Sequence, residues 1–100
     1  MVNKAHVATV RRICERYGGV VDHGEEVDVI AGELRIEIET WATLADGIER
    51  LSQLDGLRYL AVTNKDAIPD ALRLTQNTGI GVMDSFGRIL QPATGHSELG

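Results

Sequence analysis

One hundred residues suit a single domain whose modest core needs neither disulfide nor metal staples. Hydrophobic residues make up 43 % of the chain but only four are aromatic, so the core must be mainly Val, Ile, Leu and Ala. A formal charge of −5, from 15 acids against 10 Lys plus Arg, excludes a broad basic nucleic-acid surface but leaves room for a local basic patch.

The lone Cys14 rules out an internal disulfide and falls on the apolar stripe of a helix, where it reads as a buried structural thiol. No signal peptide is visible and no apolar run reaches about 18 residues, so the expectation is a soluble, cytoplasmic chain with no membrane partner.

In chain order, Lys4 to Tyr17 predicts an amphipathic helix with Val7, Val10, Ile13, Cys14 and Tyr17 on one face. Asn3 suits its N-cap and Gly18-Gly19 its end. Three short strands follow as an antiparallel meander, with turns at His23-Gly24 and Ala31-Gly32. A second helix spans Thr43 to Leu54, burying Leu44, Ile48, Leu51 and Leu54, and Asp55-Gly56 stops it. Arg58 to Thr63 is a strand whose Tyr-Leu-Ala-Val centre is apolar on both faces.

The third helix runs from Ile68 to Gln76, with Pro69 in its first turn and Asp66 as its cap. Asn77-Thr78-Gly79 ends it. Ile80 to Asp84 is a strand, Ser85-Phe86-Gly87 a turn, and Arg88 to Leu90 a short last strand. Residues 1–90 thus form one domain, and 91–100 a polar, frayed tail. The order α-β-β-β-α-β-α-β-β predicts an α/β fold. Its two strand–helix–strand units demand parallel neighbours, so the central sheet is mixed and flanked by helices on both sides.

The chemistry concentrates in the meander, in Glu25-Glu26-Val27-Asp28-Val29-Ile30 and Leu34-Arg35-Ile36-Glu37-Ile38-Glu39. Period-2 alternation puts Ile36 and Ile38 on one face, Glu37 and Glu39 on the other. Adjacent strands can then bring Asp28, Glu37 and Glu39 together. Clustered carboxylates repel unless protons or a cation compensate them, and oxygen-only ligands suit a hard divalent ion such as Mg2+. The competing reading is a solvated face of a half-covered sheet.

These acid strands, with Tyr59-Leu60-Ala61-Val62-Thr63-Asn64, Ala71-Leu72 and Gly79-Ile80-Gly81-Val82-Met83-Asp84, give the chain a resemblance to a known superfamily. From about residue 4 to 90 it resembles the PD-(D/E)XK (restriction endonuclease-like) nucleases, in particular archaeal Holliday-junction resolvases and Mrr-like endonucleases. The resemblance implies that Asp28 matches the first acid on the second strand and Glu37 the second acid on the third strand. Glu39 occupies the lysine position, Val27 stands where proline is common, and Glu15 matches an extra acid that some resolvases carry on the first helix.

By that resemblance, Asp28, Glu37, Glu39 and Glu15 are metal ligands for Mg2+ (or Mn2+), with Asp28, Glu37 and Glu39 catalytic. The implied reaction is metal-assisted phosphodiester hydrolysis of DNA, branched or not, by a homodimer. Glu39 would serve as a further ligand or a general base. The alternative is a decayed nuclease-fold module acting in assembly or nucleic-acid binding, which the missing lysine and the acidic balance favour.

Other features have milder readings. Lys65 is either a replacement cation or a surface lysine, and Thr63-Asn64 a phosphate contact or a turn and cap. Arg11, Arg12 and Arg16, extended by Lys4, form a basic patch on the first helix. Trp41 is expected to pack under the second helix, with a dimer contact as the rival. His6, His23 and His96 lack metal-ligand spacing, and a structural zinc site is not supported. Neither a Gly-x-Gly-x-x-Gly or Walker A sequence nor a Gly-x-Ser-x-Gly elbow is present.

Overall fold

The computed structural model describes residues 3–22 and 27–94. Its elements are α1 (Lys4–Tyr17), β1 (Val20–Val21), β2 (Val29–Ala31), β3 (Leu34–Glu39), α2 (Leu44–Ser52), β4 (Leu57–Val62), α3 (Ile68–Leu74), β5 (Gly81–Met83) and β6 (Ile89–Gln91). Their order is the one the sequence predicts. The expected turn at His23-Gly24, the acids Glu25 and Glu26, and His96 lie outside the described residues. Among the described residues no helix is long and apolar enough to cross a membrane.

The six strands form one mixed sheet in sequential order, β1 to β6. β1–β2 and β2–β3 pair antiparallel, β3–β4 and β4–β5 parallel, and β5–β6 antiparallel. Hence β2 and β6 run against the other four. The parallel pairs are those joined through α2 and α3, since such neighbours need a crossover while antiparallel ones need only a turn.

Each sheet face has its own core. On one side Ile13 of α1 packs with Val29, Ile36, Ile38, Tyr59, Ala61 and Met83. On the other, Leu44 and Leu51 of α2 and Ala71 of α3 pack with Leu60, Val62 and Val82. β4 lies between them, with Tyr59 to Val62 all buried, which explains its unbroken apolar run. Burying one such Leu, Ile or Val contributes about 1.5–3 kcal/mol, so the two-sided strand anchors the domain.

α1 is bounded as expected. Asn3 Oδ1 accepts the His6 N–H at 3.1 Å, and Gly18, at φ 65°, returns its N–H to the Cys14 carbonyl. Its buried stripe is shifted from the predicted one. Val7 lies about 120° around the helix from Ile13 and is exposed, whereas Thr9 is buried and donates its hydroxyl to the Ala5 carbonyl at 2.8 Å. Cys14 is half-buried, and burial, then the Glu15 charge, raises its thiol pKa, which keeps it unreactive.

Two connections differ from expectation. A 3-10 turn, Lys65–Ala67, precedes α3, so the capping side chain is Asn64, accepting from Asp66 N–H at 2.9 Å, and not Asp66 itself. Beyond Leu90 the chain stays tied to the sheet: Gln91 lies in β6, Ala93 N–H donates to the Tyr59 hydroxyl at 3.1 Å, and Thr94 N–H to the Gly79 carbonyl at 3.0 Å.

Candidate metal centre

Alternation along β3 sends Ile36 and Ile38 toward α1, so Glu37 and Glu39 point under α2. Asp28 reaches the same place from β2. The last antiparallel pair there is Val29 with Ile36, which puts Asp28 one step beyond it, beside Glu37. Its carboxylate then does the work of a ladder carbonyl: Asp28 Oδ2 accepts the Ile38 N–H at 2.8 Å. His6, from the first turn of α1, places Nε2 3.3 Å from the same oxygen.

Glu37 has no exposed surface. Its Oε2 accepts from Arg50 Nη1 of α2 at 2.8 Å. Its Oε1 is buried with no donor in reach. A proton shared with Asp28 would satisfy that oxygen, and so would a cation. One carboxylate oxygen from each of Asp28, Glu37 and Glu39 lies within 4.8 Å of the other two. Two oxygens on one Mg2+ sit at most about 4.2 Å apart, so the spacing is of the right order for a shared hard ion.

The electrostatics follow from burial. Desolvation above all pushes Glu37 up to about 8, helped by the hydrogen bond and charge of Asp28 and the charge of Glu39, while Arg50 pulls it down. Glu39 is also raised, by burial and then by Asp28, against the pull of the Thr43 hydroxyl, Arg50 and His6. Glu37 holds Arg50 firmly protonated. These shifts favour a proton held in the cluster near neutral pH, and the same carboxylates could hold a metal ion in its place. The donor set fits a hard divalent cation: three carboxylates, one of them carrying an orphaned buried oxygen.

The recess above the acids is rimmed by Asn3, His6, Thr40, Thr43, Asp46 and Arg50. On the rim Asp46 offsets Arg50, so with Asp28 and Glu39 beneath it the recess as a whole is lined by more acids than arginines. A surface depression of about 610 Å³ lies elsewhere, beside Glu33, Arg35 and Leu57 where β3 and β4 begin. It brings no comparable set of reactive groups together.

Of the residues expected at the site, Asp28, Glu37 and Glu39 converge and Glu15 does not. Glu15 is exposed on α1, nine residues beyond His6, which is roughly 13 Å further along the helix. Lys65 is exposed in its 3-10 turn and is not the compensating cation. Arg50 has that role. Trp41 does not pack under α2: it is 65 % exposed, and its Nε1 donates to Asp70 of α3 at 3.1 Å.

The signal for Arg50 was Gly47, a mid-helix glycine that costs about 1 kcal/mol relative to Ala and marks a close approach. Glu39 passes under it, and a Cβ there would lie 2.4 Å from Glu39 Cγ and 2.9 Å from Cδ. Arg50 follows one helical turn later, over Glu37. Gly47→Ala is therefore expected to destabilise the protein by about 1–2 kcal/mol despite its better helix propensity, because the overpacking outweighs the gain. Urea unfolding measures this; a stabilised variant would show that Glu39 does not need the space.

The chain matches no family model, no curated protein and no solved structure.

Proposed function

We propose that the chain is a divalent-metal-dependent nuclease of the restriction endonuclease-like type, hydrolysing phosphodiesters of DNA at Asp28, Glu37 and Glu39. The observation that carries this reading is the convergence of three carboxylates around the unpartnered oxygen of fully buried Glu37. The order of helices and strands, with Asp28 just before β2 and Glu37 and Glu39 on β3, agrees with the superfamily resemblance and supports it.

Asp28 and Glu37 would hold Mg2+ or Mn2+, which when bound polarises a phosphoryl oxygen and lowers the pKa of water. Glu39 stands where the family has lysine. Its raised pKa brings it closer to neutral pH, which suits a general base. Arg50 supplies the positive charge that the lysine would have brought. More than half of its side chain is exposed, so guanidinium donors not used on Glu37 face the solvent where a phosphate would arrive. A homodimer would present two such sites to a branched substrate.

A second reading has its own support. The Arg50–Glu37 pair compensates the buried charge without metal, and the acids lining the recess repel phosphate. Both suit a decayed module in which the pair is structural.

Cleavage of a labelled four-way DNA junction, with single- and double-stranded controls, separates the two. The nuclease reading expects cleavage that requires Mg2+ or Mn2+ and falls at least about 100-fold in Glu37→Gln, as expected on losing a metal ligand. Intact substrates at high protein concentration with either metal would leave the decayed module standing.

A further inference from the structure

The basic patch on α1 is not used by the acid centre, and the structure gives it a companion. Arg12 and Arg16, one turn apart, both lean on the turn between β5 and β6: Arg12 Nη1 is 3.5 Å from the Ser85 carbonyl and Arg16 Nη1 3.1 Å from the Phe86 carbonyl. The Arg12 guanidinium lies 4.8 Å from the centroid of the Phe86 ring. Phe86 nevertheless remains 57 % exposed. Arg11, also exposed, adds a third charge at the next position.

The turn is held from below. Asp84 accepts from Phe86 N–H at 2.9 Å, Arg88 N–H at 3.0 Å and Arg88 Nε at 2.7 Å. The Tyr17 hydroxyl donates to the Gly87 carbonyl. Gly87, at φ 83°, lets α1 come close, since a Cβ there would lie 3.1 Å from Arg16 Cδ. Phe86 is thus presented on a fixed turn between two anchored guanidiniums. Among the described residues no carboxylate pairs with Arg11, Arg12 or Arg16. Carbonyls orient Arg12 and Arg16 without neutralising them, in a chain whose net charge is −5.

We propose that the C-terminal half of α1 and the β5–β6 turn bind single-stranded nucleic acid, with phosphates on Arg11, Arg12 and Arg16 and a base stacked at Phe86. Three guanidiniums without a paired carboxylate outweigh Glu15, the one acid on that stretch of α1, and attract an anion. A fixed exposed aromatic beside them adds a flat face for a base, the combination used by single-strand binders. A duplex offers the phosphates but keeps its bases stacked. This site does not depend on the metal centre, and a strand would bind here whether or not cleavage occurs.

The test is fluorescence anisotropy of a labelled (dT)20 strand with the full chain in EDTA, so that no cleavage intervenes. The wild type is expected to bind (dT)20 more tightly than a 20-base-pair duplex. Arg12→Ala/Arg16→Ala should weaken binding at least tenfold and lower the salt slope by about 1.4, two single-strand phosphate contacts at about 0.7 each. Phe86→Leu, which keeps an apolar side chain and spares the fold, should weaken it about fivefold or more. Arg73→Ala, at a salt-bridged arginine on α3, should change nothing.

Unchanged affinity in the double arginine variant, or full affinity in Phe86→Leu, would overturn the proposal. So would a duplex that binds as tightly as (dT)20. Equal competition by an oligoglutamate of matching charge would overturn it too, in favour of an acidic protein partner. If the junction stays uncut while these binding losses appear, the nuclease reading fails and the strand site stands.

Discussion

Arg50→Ala is expected to destabilise the protein by about 2 kcal/mol at pH 9 and by about 1 kcal/mol or less at pH 6. The difference arises from Glu37. At pH 9 its carboxylate is largely ionised in the folded wild type, fully buried, with Arg50 Nη1 at 2.8 Å as its only paired cation among the described residues. Removing the guanidinium leaves a buried charge with no partner, the costly half of a broken pair. At pH 6 Glu37 already holds a proton, so only a hydrogen bond is lost.

Without Arg50 the Glu37 pKa also rises further above about 8, since Arg50 is the group that pulls it down. Glu37→Gln in the Arg50→Ala background should restore most of the pH 9 loss. Denaturant unfolding at the two pH values measures both effects. A loss equal at pH 6 and pH 9 would assign Arg50 a packing role through its aliphatic stem instead.

The second large effect is the pH profile of the metal-free wild type. Glu37 titrates near 4.5 when unfolded and at about 8 when folded. Between these values the folded state holds a proton that the unfolded state has lost, so stability falls as pH rises. The contribution is fully present below about 4.5 and is lost as pH climbs through about 8, with a slope approaching about 1.4 kcal/mol per pH unit in that window. Glu37→Gln should flatten this slope.

Saturating Mn2+ should flatten the trend, because the ion-bound folded state has given up the same proton that the unfolded state has lost. Thermal unfolding from pH 5 to pH 9 in EDTA checks the direction. Stability that falls no more steeply across that window in the wild type than in Glu37→Gln would mean that Glu37 is ionised in the folded protein.

The part of this site that can be read from the residues is the part governed by strand periodicity. Ile36 and Ile38 cannot face α1 unless Glu37 and Glu39 face the other way, and Asp28 immediately precedes the strand beside them. What Asp28 does with its carboxylate was not legible, since accepting the Ile38 N–H depends on β2 leaving the ladder one residue early. Arg50 was hidden for a similar reason. It neighbours the buried Leu51 on a helix whose apolar stripe was clear, but whether an arginine reaches inward depends on how α2 crosses β3.

Trp41 shows the reverse failure. Its apolar bulk suggests burial, yet its indole N–H found Asp70 on α3 and the ring stayed in solvent. At α3, Asp66 offered a conventional cap, but the intervening 3-10 turn moved the start of the structure back to Asn64. Local rules placed the elements and the two core faces; the groups that join one element to another at the site were set by packing.

The central claim is that Asp28, Glu37 and Glu39 form a divalent-metal centre, and calorimetric titration with Mn2+ at pH 7 tests it most directly. The wild type should bind Mn2+ and release close to one proton per ion, seen as a binding heat that varies with buffer ionisation enthalpy, since Glu37 must deprotonate to become a ligand. Asp28→Asn and Glu37→Gln should lose that binding. Absence of binding in the wild type, or binding of equal strength and proton release in Glu37→Gln, would contradict the metal centre and leave Arg50–Glu37 as a buried structural pair.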